Sequence, residues 1–280
     1  VTGEPDGYEA AHDRAAWAHT DAGVLRVTGE DAHDFLDRTV TADIRDEPAR
    51  ALLLDPDGKA RDSLRVLPRD DGFLVVSRRP DDTADGWRSN LFVEDVNVEV
   101  TDYAVFSVQG PEAEEAVPEG ETAYEARRTP AGGYDVVTDG AAFARPRYDN
   151  HADALRAEAG VAGFENELEG RVPVGARLEL FSEDKCYVGQ EVVARVRQRG
   201  GGASRVLACL DGVPDSAEKG DVVRDDGTAA GELTTVAESP RRGRVALGYV
   251  ERETVGDTVE VAGGDARAHE PPLADTQVDA

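Results

Sequence analysis

Residues 185–200 read KCYVGQEVVARVRQRG, and the reading of the rest of the chain turns on them. A thiol, Cys186, stands between Lys185 and the aromatic Tyr187. Gly189 supplies a turn, and two polar residues, Gln190 and Glu191, open an otherwise apolar run, VVARV. Drawn out as a strand, the run puts Glu191, Val193, Arg195, Arg197 and Arg199 on one face and Gln190, Val192, Ala194 and Val196 on the other. The first face is a strip of three arginines. It suits either the reception of an anionic group through charge-assisted hydrogen bonds or the balancing of neighbouring carboxylates. Gly200, Gly201 and Gly202 follow as the best linker composition in the sequence.

Beyond that linker the pattern changes. RVLACLDG, GDVVRDD, GELTTVAES, RVALGYVE and DTVEVAGG are short strands with turns about every ten residues, which predicts a small β-barrel or sandwich over 203–275. Cys209, inside the first of them, reads as a core thiol. Before the linker, residues 1–198 mix helices and strands, predicting two intertwined α+β lobes. Residues 8–19 read as a short helix. VLRVTG is a strand, followed by Asp31 as N-cap of a helix that carries Phe35, Leu36 and Val40 at helical spacing. ALLL, ARDSLRV and GFLVVS form an antiparallel meander through the turns DPDGK and PRDDG. RPDDTADGWRSNLFV reads as a helix behind it, VNVEVTD and YAVFSVQG as strands, and HADALRAEAG as a helix ended by Gly160. RVPVGARLELF reads as a loop and strand.

Composition bounds the function. The chain of 280 residues holds 58 Asp and Glu against 31 Lys and Arg, a net charge of −27, and its lysines are Lys59, Lys185 and Lys219. Acidic residues lie in every segment, among apolar runs that a disordered acidic chain lacks. This places the charge on the surface of a folded body suited to a high-salt cytoplasm. A nucleic-acid interface needs a positive footprint, so the net field argues against one. No run approaches the roughly 18 apolar residues of a membrane span, and the N-terminus does not read as a secretory signal, so the expected compartment is the cytoplasm. Two cysteines, without C-x-x-C pairing, make neither a disulfide scaffold nor a zinc site. The five histidines lack metal-ligand spacing.

Four segments in order resemble the glycine-cleavage T-protein (aminomethyltransferase) superfamily. VLRVTGEDAHDFLDRTVTADI, ending in a T-x-D element at Thr41 and Asp43, is followed by GKARDSLRV, by DVNVEVTDYAVFSVQGP and by LRAEAG (Leu155, Arg156, Glu158, Ala159, Gly160). Cys186, Tyr187, Gly189, Gln190 and Glu191 resemble the signature K-G-C-Y-x-G-Q-E of the YgfZ-like branch. Lys185 replaces its usual Gly, and Asp184 takes its usual Lys place. The resemblance implies an α+β fold: a three-domain cloverleaf of antiparallel sheets with packed helices around a central folate channel, plus a C-terminal small β-barrel. It also implies tetrahydrofolate as cofactor. The implied partners are iron–sulfur client proteins or assembly factors in the YgfZ-like branch, and an aminomethyl carrier in the transferases.

The same resemblance nominates site residues. Asp62 falls where T-proteins place a carboxylate near the folate amine; otherwise it is an acidic residue at a turn. Cys186 is either an accessible thiol, its thiolate favoured by Lys185, or a packing residue. Arg156 is chosen to fork onto a folate carboxylate or stack on a ring, or else ion-pairs in solvent. Glu158, Tyr134, Tyr187, Gln190, Glu191 and Arg197 complete the expected folate contacts. One family element is missing: Ala131 stands where T-proteins carry the Glu that grips the pteridine, and Asp135 or Glu158 is the substitute at hand.

Overall fold

The hydrophobic alternation of the first hundred residues builds one sheet. In the computed structural model, which describes residues 6–140, 143, 145–178, 180–182, 185–198 and 202–273, helix α1 (Gly7–Asp13) is followed by strands β1 (Ala16–His19) and β2 (Gly23–Thr28). Helix α2 (Ala32–Thr39), the meander β3 (Ala49–Leu54), β4 (Ala60–Arg69) and β5 (Gly72–Ser77), helix α3 (Pro80–Ser89) and strand β6 (Asn97–Val100) come next. The sheet order is β3-β4-β5-β2-β6, all antiparallel. Phe35 and Leu36 of α2, Val40 just after it, and Ala84 and Trp87 of α3 bury against one face, on Leu25, Val27, Leu64, Val66 and Val75. Pro at the first position of α3 suits a helix start, where its missing N–H is no loss.

A second sheet faces the other side. Strand β7 (Ala104–Gln109), the short helix α4 (Ala113–Ala116), and strands β8 (Thr122–Glu125) and β9 (Gly133–Thr138) join β1 in the order β1-β7-β9-β8. Val24, Leu67, Leu74 and Val76 of the first sheet meet Val105, Tyr124 and Val137 of the second. Helix α5 (Ala152–Ala159), ended by Gly160 in the left-handed region (φ 67°), and a π-helical turn at Phe164–Leu168 close the third side. Helix α6 (Gln190–Gln198) leads to the remaining strands, β10 (Arg205–Asp211), β11 (Val222–Asp225), β12 (Thr228–Ser239), β13 (Gly243–Glu251), β14 (Thr258–Val261) and β15 (Gly264–His269). These form a closed antiparallel barrel, β10-β13-β12-β11-β14-β15, whose closure leaves no free edge. The barrel is fused to the rest by a shared core: Leu207, Cys209, Leu247 and Tyr249 pack with Leu54, Ala157, Phe164, Tyr187 and Val193.

The molecule is thus the α+β cloverleaf with a terminal barrel that the sequence led us to expect. Four local expectations fail. The helix over residues 8–19 stops at Asp13, and AWAH becomes β1, since its apolar residues pair with Phe106–Gln109 of β7. Asp31 occupies the N-cap position of α2 without a side-chain capping bond; its carboxylate accepts instead from the Asp95 backbone N–H at 2.8 Å. Around LELF, Pro173–Ala176 is a 3₁₀ turn and none of the described residues there is a strand. The run after Gly189 is a helix: Val192, Val193 and Val196 fall at i, i+1 and i+4, and Val193 alone is buried. The arginine strip therefore does not exist among the described residues. Arg195 and Arg197, two apart on a helix, point to different sides, and Arg199, like Asp184, Gly200 and Gly201, lies outside the described residues.

Candidate functional site: a central arginine cavity and a thiol loop

Between the two sheets, α5 and the π-helical turn lies a cavity of about 330 Å³, at the lower end of the range for small-molecule sites. Its walls come from every lobe: His19 from β1, Arg50 from β3, Ser63 and Arg65 from β4, Ser107 from β7, Tyr124 and Asp135 from the second sheet, and Arg156 and Phe164 from the third side. Six arginines line it, at positions 50, 65, 78, 127, 128 and 156, in a chain of net charge −27.

Sheet register creates the central cluster. Arg50 and Arg65 are direct cross-strand partners on β3 and β4, a like-charge pairing that costs stability. Arg128 joins them and is held by Asp135, with Nε–Oδ1 at 2.9 Å and a second contact from Nη2 to Oδ2. Tyr124 donates to the same carboxylate at 3.3 Å. Burial first, and then the Asp135 charge and hydrogen bond working against it, leave the Arg128 guanidinium more firmly protonated than usual. Arg50 is the opposite case. Burial, with Arg65 and Arg128 adding repulsion, pulls its pKa down to about 10. Arg50 and Arg127 make no hydrogen bond or ion pair among the described residues. One carboxylate, Asp135, thus faces three clustered guanidiniums, and the cavity carries an unmet demand for an anion.

The remaining arginines are committed. Arg78 forks onto Glu165 Oε1 at 2.7 and 3.1 Å. Arg156 donates to Glu167 at 2.6 Å, Thr235 at 2.8 Å and Asp153 at 2.9 Å. Arg156 therefore reaches the cavity as expected, but as a wall braced to the barrel.

Asp62 is placed away from the cavity. Its side chain is fully buried, does not line the cavity, and accepts four hydrogen bonds: from Ser63 N at 2.7 Å, Ser77 Oγ at 2.5 Å, Arg78 N at 2.9 Å and Thr83 Oγ1 at 2.6 Å. Burial raises its pKa against those four bonds. The carboxylate pins the β5–α3 junction, and Ser63, on the other face of β4, lines the cavity in its place. Glu158 is also elsewhere. It is buried and takes Tyr8 Oη at 2.8 Å and His12 Nε2 at 3.1 Å, tying α1 to α5, with Tyr8 passing on to Ser239 of the barrel at 3.0 Å. Tyr134 alternates away from Asp135 and packs outward against Val108, Ala113 and Val136. Of the two substitutes for the missing Glu, Asp135 is the one in the cavity.

The motif around Cys186 has its own geometry. Cys186 is exposed, whereas Cys209 is buried and its thiol pushed up to about 12. Lys185 does not turn toward the thiol. Its Nζ reaches the carbonyls of Asp37 and Ala42 and the Asp37 carboxylate at 3.0 Å, while Ser182 N donates to Thr41 O at 2.9 Å. The T-x-D element and the thiol loop are thereby stitched together. Gly189 (φ 81°) lies on the β3–β4 turn, where an added Cβ would sit 2.6 Å from Asp55 O and 2.8 Å from Gly58 Cα; no other residue fits. Tyr187 is buried in the core shared with the barrel. Gln190 begins α6, Glu191 pairs with Arg195 at 2.7 Å in solvent, and Arg197 is exposed. None of these residues lines the central cavity. Val188 lines a second one, of about 890 Å³, between α2, α3 and the β3–β4 turn.

Sequence reading missed Arg50, Arg65 and Arg128. The available signal was an arginine interrupting each of two apolar strands, ARALLL and DSLRV, at positions that pair across the meander.

The fold and its cavity between lobes define a T-protein-type molecule. It aligns with the glycine cleavage system aminomethyltransferase T of Bartonella henselae at a TM-score of 0.76, over 96% of this chain and 89% of that one, at 18% sequence identity. No family model matches the sequence. An aminomethyltransferase of Rubrobacter xylanophilus is 29% identical over 280 residues, covering 84% of this chain and 75% of that protein. The tRNA-modifying protein YgfZ of Serratia proteamaculans is 30% identical over 251 residues, covering 71% of this chain and 72% of that protein. The chain belongs to the YgfZ-like branch of the T-protein (aminomethyltransferase) superfamily. No helix of the described residues is long and apolar enough to cross a membrane.

Proposed function

We propose that the chain binds a tetrahydrofolate in the central cavity and assists iron–sulfur cluster assembly or repair in client enzymes, in the cytoplasm, with Cys186 as the residue that meets the client. One observation carries this reading: the thiol of the motif is exposed while the carboxylate expected to handle the folate amine is sealed in the interior. A bound tetrahydrofolate supplies a one-carbon carrier or an electron-rich pterin. The residues in the cavity suit such a ligand. Arg50 and Arg127, without ion partners, match the carboxylates of a glutamate tail. Asp135, which already accepts from Arg128 and Tyr124, is the carboxylate of the central cluster open to an amino-pyrimidine edge. Phe164 and Tyr124 offer apolar faces.

Two outcomes test the reading. Cells carrying Cys186→Ala, with the protein folded, are expected to lose activity of iron–sulfur enzymes; normal activity would make the thiol structural. Purified protein given tetrahydrofolate and an aminomethyl-loaded carrier is expected to release no ammonia at steady state.

The second reading is aminomethyl transfer, favoured by the match of nearly the whole chain to aminomethyltransferases. Steady ammonia release in that assay would establish it. Folate-dependent tRNA modification, suggested by the name of the Serratia relative, meets the objection of the net charge of −27, because RNA binding draws its affinity from a positive footprint.

A further inference from the structure

The carboxylates that line the central cavity are Asp21, Asp135, Asp153 and Glu165, and their pairing leaves positive charge over in one place. Glu165 takes Arg78, with Asp21 exposed at 4.0 Å from the same guanidinium, and Asp153 takes Arg156. Asp135 takes Arg128. Arg50 and Arg65 therefore keep no carboxylate of the lining to themselves. Glu125, exposed and outside the lining, attracts Arg65 more weakly than Asp135 does. As cross-strand partners, Arg50 and Arg65 start from Cβ atoms about 5 Å apart on one face. The cluster is held in place from behind. Arg65 lies over the Tyr124 ring, Cζ 4.9 Å from its centroid, and donates to Glu125 O at 3.1 Å. Arg128 N donates at 3.0 Å to Oε1 of the buried Gln109, whose amide is tied to Ser107 Oγ and Ala126 O. Like charges set opposite one another and drawn out of water cost stability, and no group of the described residues offsets the charge of Arg50.

We propose that Arg50, Arg65 and Arg128 form a phosphate site of their own, which takes a free phosphate dianion when no folate is bound, so that phosphate and folate exclude one another. The exclusion rests on the folate reading above; the phosphate site does not. A dianion fits because three guanidiniums face one carboxylate, leaving two charges unmet. A tetrahedral oxyanion fits because its several oxygens let two guanidiniums fork onto it from one side while the third closes the other, and Ser63, which shares the Arg65 face of β4, adds a hydroxyl to the wall. The net charge of −27 does not bar a small anion, because surface charges are screened beyond about 8 Å at physiological salt, whereas cations in a walled cavity are screened much less.

The test is calorimetry of the folate-free protein with sodium phosphate at pH about 8, where phosphate carries close to two charges, in a constant sodium chloride background. Saturable binding is expected, with a Kd of about 1 mM or tighter. Arg50→Gln and Arg65→Gln are each expected to weaken it about tenfold or more, the effect of losing a charge-assisted pair. Arg61 serves as the control: it lines the groove between α2, α3 and the β3–β4 turn and makes no hydrogen bond or ion pair among the described residues. Arg61→Gln removes the same charge outside the cavity and is expected to leave phosphate affinity within about twofold. Urea denaturation reads the site independently. Phosphate at about ten times its Kd is expected to raise the midpoint of the parent above that in sodium chloride of equal ionic strength, and to give Arg50→Gln no such gain. The same phosphate concentration is expected to lower the apparent affinity for a polyglutamylated folate about tenfold. Heat that never saturates, binding that survives Arg50→Gln, or a stabilisation that chloride matches overturns the site. Phosphate binding lost in Arg50→Gln, with folate affinity indifferent to phosphate, keeps the site and overturns the exclusion. Folate that fails to bind while phosphate binds removes the folate reading and leaves the phosphate site standing.

Discussion

Replacing Asp62 with Ala separates a ligand-handling carboxylate from one that holds the fold. Asp62 accepts from two hydroxyls, Ser77 and Thr83, and two backbone N–H groups, Ser63 and Arg78. A donor stranded in the interior costs about 1–3 kcal/mol. The hydroxyls of Ser77 and Thr83 rotate to other acceptors, so most of the loss falls on Arg78 N and Ser63 N. Against it stands the relief of no longer burying a carboxyl whose pKa that burial raises. The balance is a destabilisation of about 3 kcal/mol, a sizeable share of the roughly 5–15 kcal/mol that holds a protein folded. Urea denaturation of both proteins, followed by circular dichroism, is expected to show a midpoint lowered by about 1 M. Folate affinity, measured by calorimetry well below the transition, is expected to change less than about threefold, or 0.7 kcal/mol. An Asp62→Ala protein as stable as the parent but unable to bind folate would refute the reasoning and return the carboxylate to the ligand.

Arg50→Gln relieves the repulsion with Arg65 and Arg128, so stability is expected to hold or rise by about 0.5 kcal/mol, while affinity for a polyglutamylated folate falls about tenfold; calorimetry against a tail-less pterin, expected to be insensitive, checks that the tail is responsible. Glu158 is held below its ordinary range: burial pushes it up, but hydrogen bonds from His12, Ser239 and Tyr8 prevail. A lowered native pKa contributes stability that is present above the unfolded value of about 4.3 and lost as pH falls through the native one. The stability gap between the parent and Glu158→Gln is therefore expected to close on acidification from pH about 5; a constant gap in denaturation curves across that range would count against the network. Gly189→Ala forces a left-handed residue against Asp55 O, costing about 2 kcal/mol, and is expected to alter the rate at which Cys186 reacts with an aromatic disulfide.

The fold was legible where period and punctuation agreed. Turn residues DPDGK and PRDDG fixed the meander, and Gly160 fixed the end of α5. The turn-spaced strands after residue 203 fixed the barrel. The site was less legible, because sequence places a residue on a strand without saying which face meets the ligand. Asp62 and Ser63 are neighbours, yet one is sealed under α3 and the other lines the cavity, a difference of one step in a period of two. Helix α6 was missed for a related reason: VVARV has β-branched residues suited to a strand. What decides is tertiary, since Gly189 brings Val192 against Gly58 and leaves Glu191 to pair with Arg195 one turn on. The thiol's exposure was anticipated, but Lys185 as its electrostatic helper was not upheld, since only the folded chain brings Asp37 and Ala42 to that ammonium.

The two cavities share a wall, and its construction gives Asp62 a purpose other than chemistry. Successive residues of an extended segment point opposite ways, so Arg78 enters the central cavity to meet Glu165 while Arg79 enters the groove beside the thiol loop to meet Glu169. Both acids flank or belong to the π-helical turn Phe164–Leu168, the kind of element in which strain and function coincide. Asp62 holds Arg78 N directly and Arg79 N through Ser77 Oγ at 3.0 Å. The buried carboxylate thus fixes the point at which the chain splits its two guanidiniums between the cavities. The surface charge of −27 is screened by salt, but arginines in a walled cavity are screened far less. The demand for an anion set by Arg50, Arg65 and Arg128 therefore persists at salt concentrations that screen the surface charges.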